Sequence, residues 1–196
     1  RRLQQRAQRN NLSSIFDIGD IPSDTQLREL LDAPDYAPVS DLYRQWFVRL
    51  QRSKQLDSYR MFGDRYLVTI DGSEYFNSES ISCSHCLTRH KSNGHVEHYH
   101  QVLQPALVHP DHPQVIPLAP EFIRRQDGAN KQDCEVVAGM RALKRIRADH
   151  RQLPAIIVGD ALYSTTRFVA ELVEKRFSYI LGVKPASHKT LFQDVQ

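Results

Sequence analysis

The stretch "YLVTIDGSEYF", residues 66–76, decides the fold that this sequence predicts. Tyr66 to Ile70 are all good strand formers, so they indicate a buried β-strand. Asp71 and Gly72 then interrupt the run. Asp-Gly is a common turn pair, so one interpretation of this acid is a simple turn. The other interpretation is a functional carboxylate at the end of a strand.

A second apolar strand also ends in an acid. The segment "AIIVGD", residues 155–160, is a short continuous apolar run that closes with Asp160. Open α/β sheets build their sites at the carboxyl ends of strands, and neighbouring strands lie ~4.8 Å apart. Two carboxylates at that spacing repel each other unless a cation lies between them, and oxygen ligands suit Mg²⁺ or Mn²⁺. A turn explains each acid singly, whereas a metal site explains Asp71 and Asp160 together.

Strand and helix patterns follow in the order β-β-β-α-β-α-β, which is typical of a mixed α/β sheet with helices packed on it. The second and third strands are joined by the turn "PDHP", and the first helix is predicted to begin at Asn130. The strand patterns cover residues 65–71, 99–110, 114–122, 155–160 and 177–183. The predicted buried stripes of the two helices are Val136, Met140, Leu143 and Ile146, and Phe168, Val169, Leu172 and Val173.

The residues before the first strand read as helical, which predicts an N-terminal helical segment at 1–60 and a core at 61–196. Ser23 and Gln26 make a capping-box pattern, and Ser40 is the predicted cap of a second helix. The predicted apolar stripe of that second helix is Leu42, Tyr43, Trp46, Phe47 and Leu50.

Taken together, these motifs resemble the DDE transposases of bacterial insertion sequences, whose catalytic domain has an RNase H-like fold. The resemblance runs from about residue 12 onward and is carried by "IPSDTQLRELLD", "LVTIDGSEYFNSESISCSHC", "YHQVLQPALVHPDHPQVIPLAPEFIRRQDGANKQDCE", "IIVGDALYS" and "YILGVKPASH". In that family the catalytic aspartates end the first and fourth strands, which implies that Asp71 and Asp160 are catalytic ligands of Mg²⁺ or Mn²⁺. The resemblance further implies cleavage of transposon-end DNA, transfer of the freed 3′-OH to target DNA, a homodimer on DNA and a bacterial cytoplasm.

The third acid of the family is a Glu on a helix after the fifth strand, and this sequence stops at Gln196, soon after that strand. We therefore expect the chain as given not to cut or join DNA. Glu171 lies in "YSTTRFVAELVEK", which mimics the family's signature, but helical periodicity turns it towards a surface pair with Lys175 or Arg167. Glu135 could face the sheet end, as in ribonucleases of this fold, but a solvated position is expected. A DNA-binding remnant and another RNase H-like nuclease stay open as alternatives.

Residues 77–98 form a polar insert rich in cysteine and histidine. Cys83 and Cys86 make a C-x₂-C pattern, and His90, His95, His98 and His100 follow it. These are the ligand types of a structural zinc site, which could fold an insert that has almost no apolar residues. A polar loop with incidental histidines is the alternative. Cys134 stands alone on a predicted helix and is interpreted as a small buried residue.

Charge and composition limit the possible partners. The net charge of +3 is too mild to identify a nucleic-acid partner. Basic clusters at 1–10 and 141–151 are either solvated faces or contacts to DNA phosphates, and the second cluster offers Arg141, Lys144, Arg145 and Arg147. No stretch approaches the ~20 apolar residues of a membrane span, and no secretory signal is recognisable. Three cysteines, an odd number, favour a reducing cytoplasm over a disulfide framework.

Overall fold

The computed structural model describes residues 23, 25–26, 37–124, 135–186 and 188–194. The chain divides into two compact units, Arg1–Val39 and Ser40–Gln196. In the first unit the predicted capping box is formed, since Gln26 Oε1 accepts from the Ser23 N–H at 3.0 Å and Ser23 Oγ accepts from the Gln26 N–H at 3.3 Å. The basic residues 1–10, the predicted helix start at Asn130 and Cys134 lie outside the described residues.

The described elements follow the predicted order of strands and helices with two differences. The predicted strands 99–110 and 114–122 are each divided in two, and further strands lie at 60–61, 72–78 and 87–90. The elements are helix α1 (Ala37–Arg52), a 3₁₀ turn (Asp57–Tyr59), β1 (Arg60–Met61), β2 (Arg65–Thr69), β3 (Gly72–Ser78), β4 (Leu87–His90), β5 (Val96–Leu103), β6 (Ala106–His109), β7 (His112–Pro117), β8 (Glu121–Phe122), α2 (Glu135–Asp149), β9 (Ala155–Gly159), α3 (Thr166–Glu174), β10 (Ser178–Leu181) and α4 (Lys189–Asp194).

The larger sheet has the strand order β10-β9-β2-β6-β7, and β1 pairs with the start of β2. Strands β2, β9 and β10 are parallel, whereas β6 is antiparallel to β2 and β7 is antiparallel to β6. The turn at 110–111 connects β6 to β7, as "PDHP" predicts. The mixed α/β class expected from the sequence is therefore confirmed.

Strand β2 lies inside this sheet, and its composition explains that position. Tyr66 and Val68 are buried and alternate with half-buried Leu67 and Thr69, so both faces are covered. The predicted stripe of α2 packs in the same core through Met140, Leu143 and Ile146. Because these apolar side chains fill the body of the domain, polar side chains are left for the strand ends.

The insert contributes to a second sheet, although its residues 79–86 lie outside the strands. Strands β3, β5 and β4 lie in that order, and β8 pairs with the end of β5. Only residues 70–71 separate β2 from β3, and only residues 104–105 separate β5 from β6, so one long hairpin runs through both sheets. The Gln104 N–H bonds to the Asp71 carbonyl oxygen at 3.0 Å where the hairpin passes from one sheet to the other.

Helix α1 departs from the predicted cap and stripe. Ser40 lies inside the helix and is buried, because the helix already begins at Ala37 and proline is tolerated in a first helical turn. Phe47 is buried as predicted, but Leu42 and Trp46 are 51% and 60% exposed. The expected stripe is therefore wrong at these two positions.

One expectation for the last third of the chain also needs correction. Helix α3 buries Phe168 and Leu172, but Val173 is 61% exposed and does not belong to the stripe. Among the helices that the structure describes, none has the length and apolar character needed to cross a membrane.

Candidate functional site

Asp71 and Asp160 follow two adjacent parallel strands. Thr69 of β2 pairs with Val158 of β9, and the Ile70 N–H bonds to the Val158 carbonyl oxygen at 3.0 Å. Asp71 lies two residues after Thr69, and Asp160 lies two residues after Val158. Both aspartates are exposed. The register therefore brings the two acids to neighbouring positions at the same edge of the larger sheet, as the sequence predicts.

The pair Asp71-Gly72 does not form a turn. Gly72 opens β3 and pairs with Leu103, so the chain continues in an extended conformation. A Cβ atom on Gly72 would lie 2.5 Å from Cδ of Glu135 and 2.7 Å from Nε2 of Gln101. Glycine leaves room for the Glu135 carboxylate close to the backbone, where a Cβ atom would displace it. The turn interpretation of this pair is wrong.

Asp160, in contrast, does have a turn role. Its Oδ1 accepts a hydrogen bond from the Leu162 N–H at 2.9 Å, and its carbonyl oxygen accepts from the Tyr163 N–H at 3.2 Å. This side-chain turn fixes the direction of the carboxylate as the chain leaves β9. One carboxylate oxygen is thus used for local structure, and the group as a whole stays exposed.

Glu135, at the start of α2, joins this end of the sheet. Its Oε1 accepts from Gln101 Nε2 at 2.5 Å, and its Oε2 accepts from the Tyr163 hydroxyl at 3.4 Å. The side chain is half-buried, so the expected solvated position is wrong. A third carboxylate, carried by a helix, therefore lies beside the strand that begins directly after Asp71.

The pKa of the Tyr163 hydroxyl reflects the negative charge of this site. Tyr163 is buried, and burial raises the pKa of its hydroxyl, which the negative charges of Glu135, Asp71 and Asp160 raise further. All three carboxylates act electrostatically on the same phenol, and Glu135 also accepts its hydrogen bond. The hydroxyl stays protonated and remains a donor to Glu135. The arrangement concentrates negative charge that a cation would neutralise.

Small residues allow Tyr163 to reach this position. A Cβ atom on Gly139 of α2 would lie 3.1 Å from Cε1 of Tyr163, and one on Gly159 of β9 would lie 3.0 Å from its Cδ2. The Phe168 ring packs against the Tyr163 ring, with centroids 5.1 Å apart. The packed ring therefore holds the hydroxyl in place under the acids.

Glu171 takes no part in this cluster. Its Oε1 lies 3.7 Å from Lys175 Nζ, so the predicted pair with Lys175 is formed. The side chain is only 13% exposed, however, and the expectation that it points into solvent is wrong. The rejection of Glu171 as a site residue agrees with this pairing.

A different cluster lies in the small sheet, where Cys83, Cys86 and His100 meet. The two sulfurs are 3.4 Å apart, and His100 Nε2 is 3.2 Å from Cys83 Sγ and 3.5 Å from Cys86 Sγ. These three ligand atoms are close enough together to hold one metal ion. His95 instead lies 2.9 Å from Glu79 through Nδ1. Burial and the charge of His85 lower the pKa of His100, which favours its neutral imidazole.

Most basic side chains of the cluster on α2 make hydrogen bonds or ion pairs within the protein. Arg147 donates to the carbonyl oxygens of Lys175, Arg151, Leu153 and Arg176 at 2.8–3.2 Å, and its guanidinium lies 4.0 Å from the Phe177 ring centroid. Arg141 donates to Glu121 at 2.8 Å and to the Phe122 carbonyl oxygen at 2.8 Å.

Arg145 and Lys144 complete this cluster. The Nε of Arg145 lies 3.6 Å from Asp149, whereas Lys144 is exposed. These contacts indicate structural roles for Arg141 and Arg147, and of the four residues proposed for DNA binding Lys144 remains the most accessible to a phosphate.

Sequence reasoning missed Gln101 and Tyr163, and it undervalued Glu135. The sequence contained a signal for each of them. Tyr163 stands three residues after Asp160, and Gln101 is next to His100 on a strand, so it faces the opposite side of the sheet. Glu135 adjoins the buried face of α2. Comparisons with protein-family models, with curated proteins and with solved structures found no match.

Proposed function

We propose that this chain is the catalytic core of a transposase that cleaves phosphodiester bonds in DNA with Mg²⁺ or Mn²⁺. The observation that carries the proposal is that Asp71, Asp160 and Glu135, from three separate elements, all act on the Tyr163 hydroxyl, which donates to Glu135. In the described part of the chain their ligand atoms do not all lie within 4.8 Å of one another, so binding of one metal ion requires these side chains to move closer together. Acids from separate elements gathered at the carboxyl ends of strands are typical of sites in α/β sheets.

The donor set fits hard divalent ions. Asp71, Asp160 and Glu135 offer carboxylate oxygens, the ligands that Mg²⁺ and Mn²⁺ prefer. Such ions supply Lewis acidity, which lowers the cost of negative charge on the attacking and leaving oxygens of a phosphodiester. The chain itself orients the ligands: Gln101 and Tyr163 hold Glu135, and the turn at Leu162 holds Asp160.

The order of the strands supports an RNase H-like fold. If the two-residue strand β1 is set aside, the strands of the larger sheet follow along the chain as β2, β6, β7, β9 and β10. Asp71 then follows the first of them and Asp160 the fourth, which are the positions that the resemblance to DDE transposases implies. Two helices separate the last three strands, as in the predicted order.

Glu135 favours a second candidate, an RNase H-like nuclease whose third acid lies on the first long helix. If Glu135 completes the site, the reason for expecting no cleavage by this chain falls away. The two candidates share the chemistry and differ in the DNA that they act on. A transposase prefers its transposon ends, whereas a nuclease of the second kind cuts unrelated duplexes equally well.

The test is cleavage of DNA by the purified 196-residue chain in the presence of Mn²⁺. We expect nicking that falls on the order of 100-fold or more in Asp71→Asn and in Asp160→Asn, because each change removes a ligand charge. Asp111→Asn is the matched control, since Asp111 lies in the exposed turn between β6 and β7, beyond the β6 residues that pair with β2. Nicking that persists in both site variants would refute the proposal.

The substrate separates the candidates. Equal cleavage of transposon-end DNA and of an unrelated duplex would favour the nuclease, and a strong preference for the transposon end would favour the transposase. Salt-sensitive DNA binding without any metal-dependent cleavage would identify a binding remnant instead.

A further inference from the structure

The ligand atoms of Cys83, Cys86 and His100 lie close enough together to bind one zinc ion. Zinc binds thiolate sulfur at about 2.3 Å and imidazole nitrogen at about 2.0–2.1 Å, so tetrahedral geometry sets S···S near 3.8 Å and S···N near 3.6 Å. The observed separations are slightly shorter, at 3.4 Å between the sulfurs and 3.2 and 3.5 Å from sulfur to His100 Nε2. A small outward movement of the three side chains would therefore accommodate the ion.

Backbone hydrogen bonds across the C-x₂-C segment bring the two sulfurs close together. The Cys86 N–H bonds to the Cys83 carbonyl oxygen at 3.2 Å, which closes a tight turn across the C-x₂-C segment. The Cys83 N–H then lies 3.1 Å from Cys86 Sγ and donates to it. This hydrogen bond fixes the direction of the Cys86 side chain towards Cys83.

The histidine comes from the neighbouring strand and is held by two aromatic rings. A bulge in β3 places Tyr75 and Phe76 opposite His100 of β5, and their ring centroids lie 5.8 and 5.7 Å from its ring centroid. The Tyr75 ring is nearly parallel to the imidazole, with an interplanar angle of 15°. These contacts fix the ring orientation before any ligand arrives.

The small sheet has little else to stabilise it. Among its described strand residues, the buried side chains are Leu87, Glu97, Leu103 and Glu121. Exposed ion pairs such as Arg89 with Glu74 add little, because solvent screens them. A structural metal commonly replaces the missing apolar core in such small units.

We propose that Cys83, Cys86 and His100 bind a structural Zn²⁺ ion that fastens the loop before β4 to the centre of the small sheet. His85, which lies between the two cysteines in the sequence, is not part of this group of three ligand atoms. The site is separate from the carboxylates of the proposed function, so either proposal can fail without the other. Zinc binding stabilises the fold because the unfolded chain does not hold these ligands together.

The experiment measures metal in the full chain, purified in reducing buffer without added metal. We expect about one zinc per chain by elemental analysis, and loss of that zinc in Cys83→Ser with Cys86→Ser and in His100→Ala. The matched control is His98→Ala, since His98 lies two residues away on the same face of β5, outside the cluster. It should keep its zinc.

Replacement of zinc by Co²⁺ tests the ligands without any substitution, in case the variants fail to fold. Two thiolates and an imidazole should give thiolate-to-cobalt charge-transfer absorption and the strong visible bands of a tetrahedral ion. Zinc-free preparations, zinc retained by the double cysteine variant, or a cobalt spectrum without thiolate absorption would each overturn the proposal. A Cys83–Cys86 disulfide in freshly purified chain would overturn it as well.

Discussion

Gln101 and Glu135 are joined by a hydrogen bond of 2.5 Å from Nε2 to Oε1, although one lies on the central strand of the small sheet and the other at the start of a helix. The bond links the insert to the acids of the larger sheet. A neutral amide orients the carboxylate without adding a positive charge that would compete with a cation.

Glu135→Gln tests whether this carboxylate is a ligand. The change preserves size and removes the charge, so we expect Mn²⁺ affinity and DNA nicking to fall, nicking by roughly 100-fold. Manganese binding followed by calorimetry provides a measurement that does not depend on activity. Gln101→Ala should give a smaller loss, because it removes only the group that orients Glu135. Unchanged manganese affinity in Glu135→Gln would assign Glu135 a structural role.

Gly72→Ala tests the close approach of Glu135 to the backbone. The new methyl group would overlap the Glu135 carboxylate and the end of the Gln101 side chain, both of which can move. We therefore expect a folded protein, with a change of about 1 kcal/mol in the free energy of unfolding, and a large loss of nicking because the ligand is displaced. Ser73→Ala, at the next and exposed position, is the control and should retain activity.

The pH dependence of the free energy of unfolding should include a contribution from the Tyr163 hydroxyl. Its pKa is raised in the folded protein above the ordinary value near 10, so the folded state holds this proton more tightly than the unfolded state. The resulting stabilisation is fully present below pH 10 and is lost as pH rises further, by up to about 1.4 kcal/mol per pH unit.

Tyr163→Phe removes that contribution. The difference in free energy of unfolding between the parent chain and Tyr163→Phe, measured by urea titration, should be constant below about pH 10 and should shrink above it. Tyr179→Phe, on an exposed residue of β10, is the control and should leave the high-pH slope unchanged. A parallel fall in the parent and in Tyr163→Phe would show that the hydroxyl is not shielded.

The basic residues of α2 should divide into structural and DNA-binding members. Arg147→Ala should lower the free energy of unfolding by about 2–3 kcal/mol, because four carbonyl oxygens lose a charged donor. Lys144→Ala should leave stability unchanged. If Lys144 meets a phosphate, the salt dependence of duplex binding becomes shallower by about one unit in that variant. An unchanged slope would assign Lys144 to a solvated face.

The parts of the fold that depend on local patterns were predictable. The strand-forming residues Tyr66 to Ile70 and the apolar run of β9 indicate strands directly. Parallel pairing of β2 with β9 in this register then brings Asp71 and Asp160 to the same edge. The stripe of α2 was also correct, because its spacing alone selects one helical face.

The remainder depended on contacts between distant segments. Glu135 faces the acids because α2 docks at a particular rotation, which the periodicity of one helix does not fix within a residue. His100 lies near Cys83 because the strand after the cysteines, β4, pairs with β5, and this pairing joins distant parts of the sequence. The reason for Gly72 was likewise hidden, since a side chain 63 positions further along the chain occupies the space.

The continuous hairpin through both sheets means that the insert is not a detachable module. Cutting it out at the sheet boundary would remove Gly72 and Gln101 and would leave β2 and β6 with new ends beside the acids. The natural place for a fluorescent label or an added peptide is instead the far tip, where Gly94 adopts a φ of +83° in an exposed turn after β4. A label or peptide could therefore be added at the turn near Gly94, whereas deletion of the hairpin at the sheet boundary would disturb the acids.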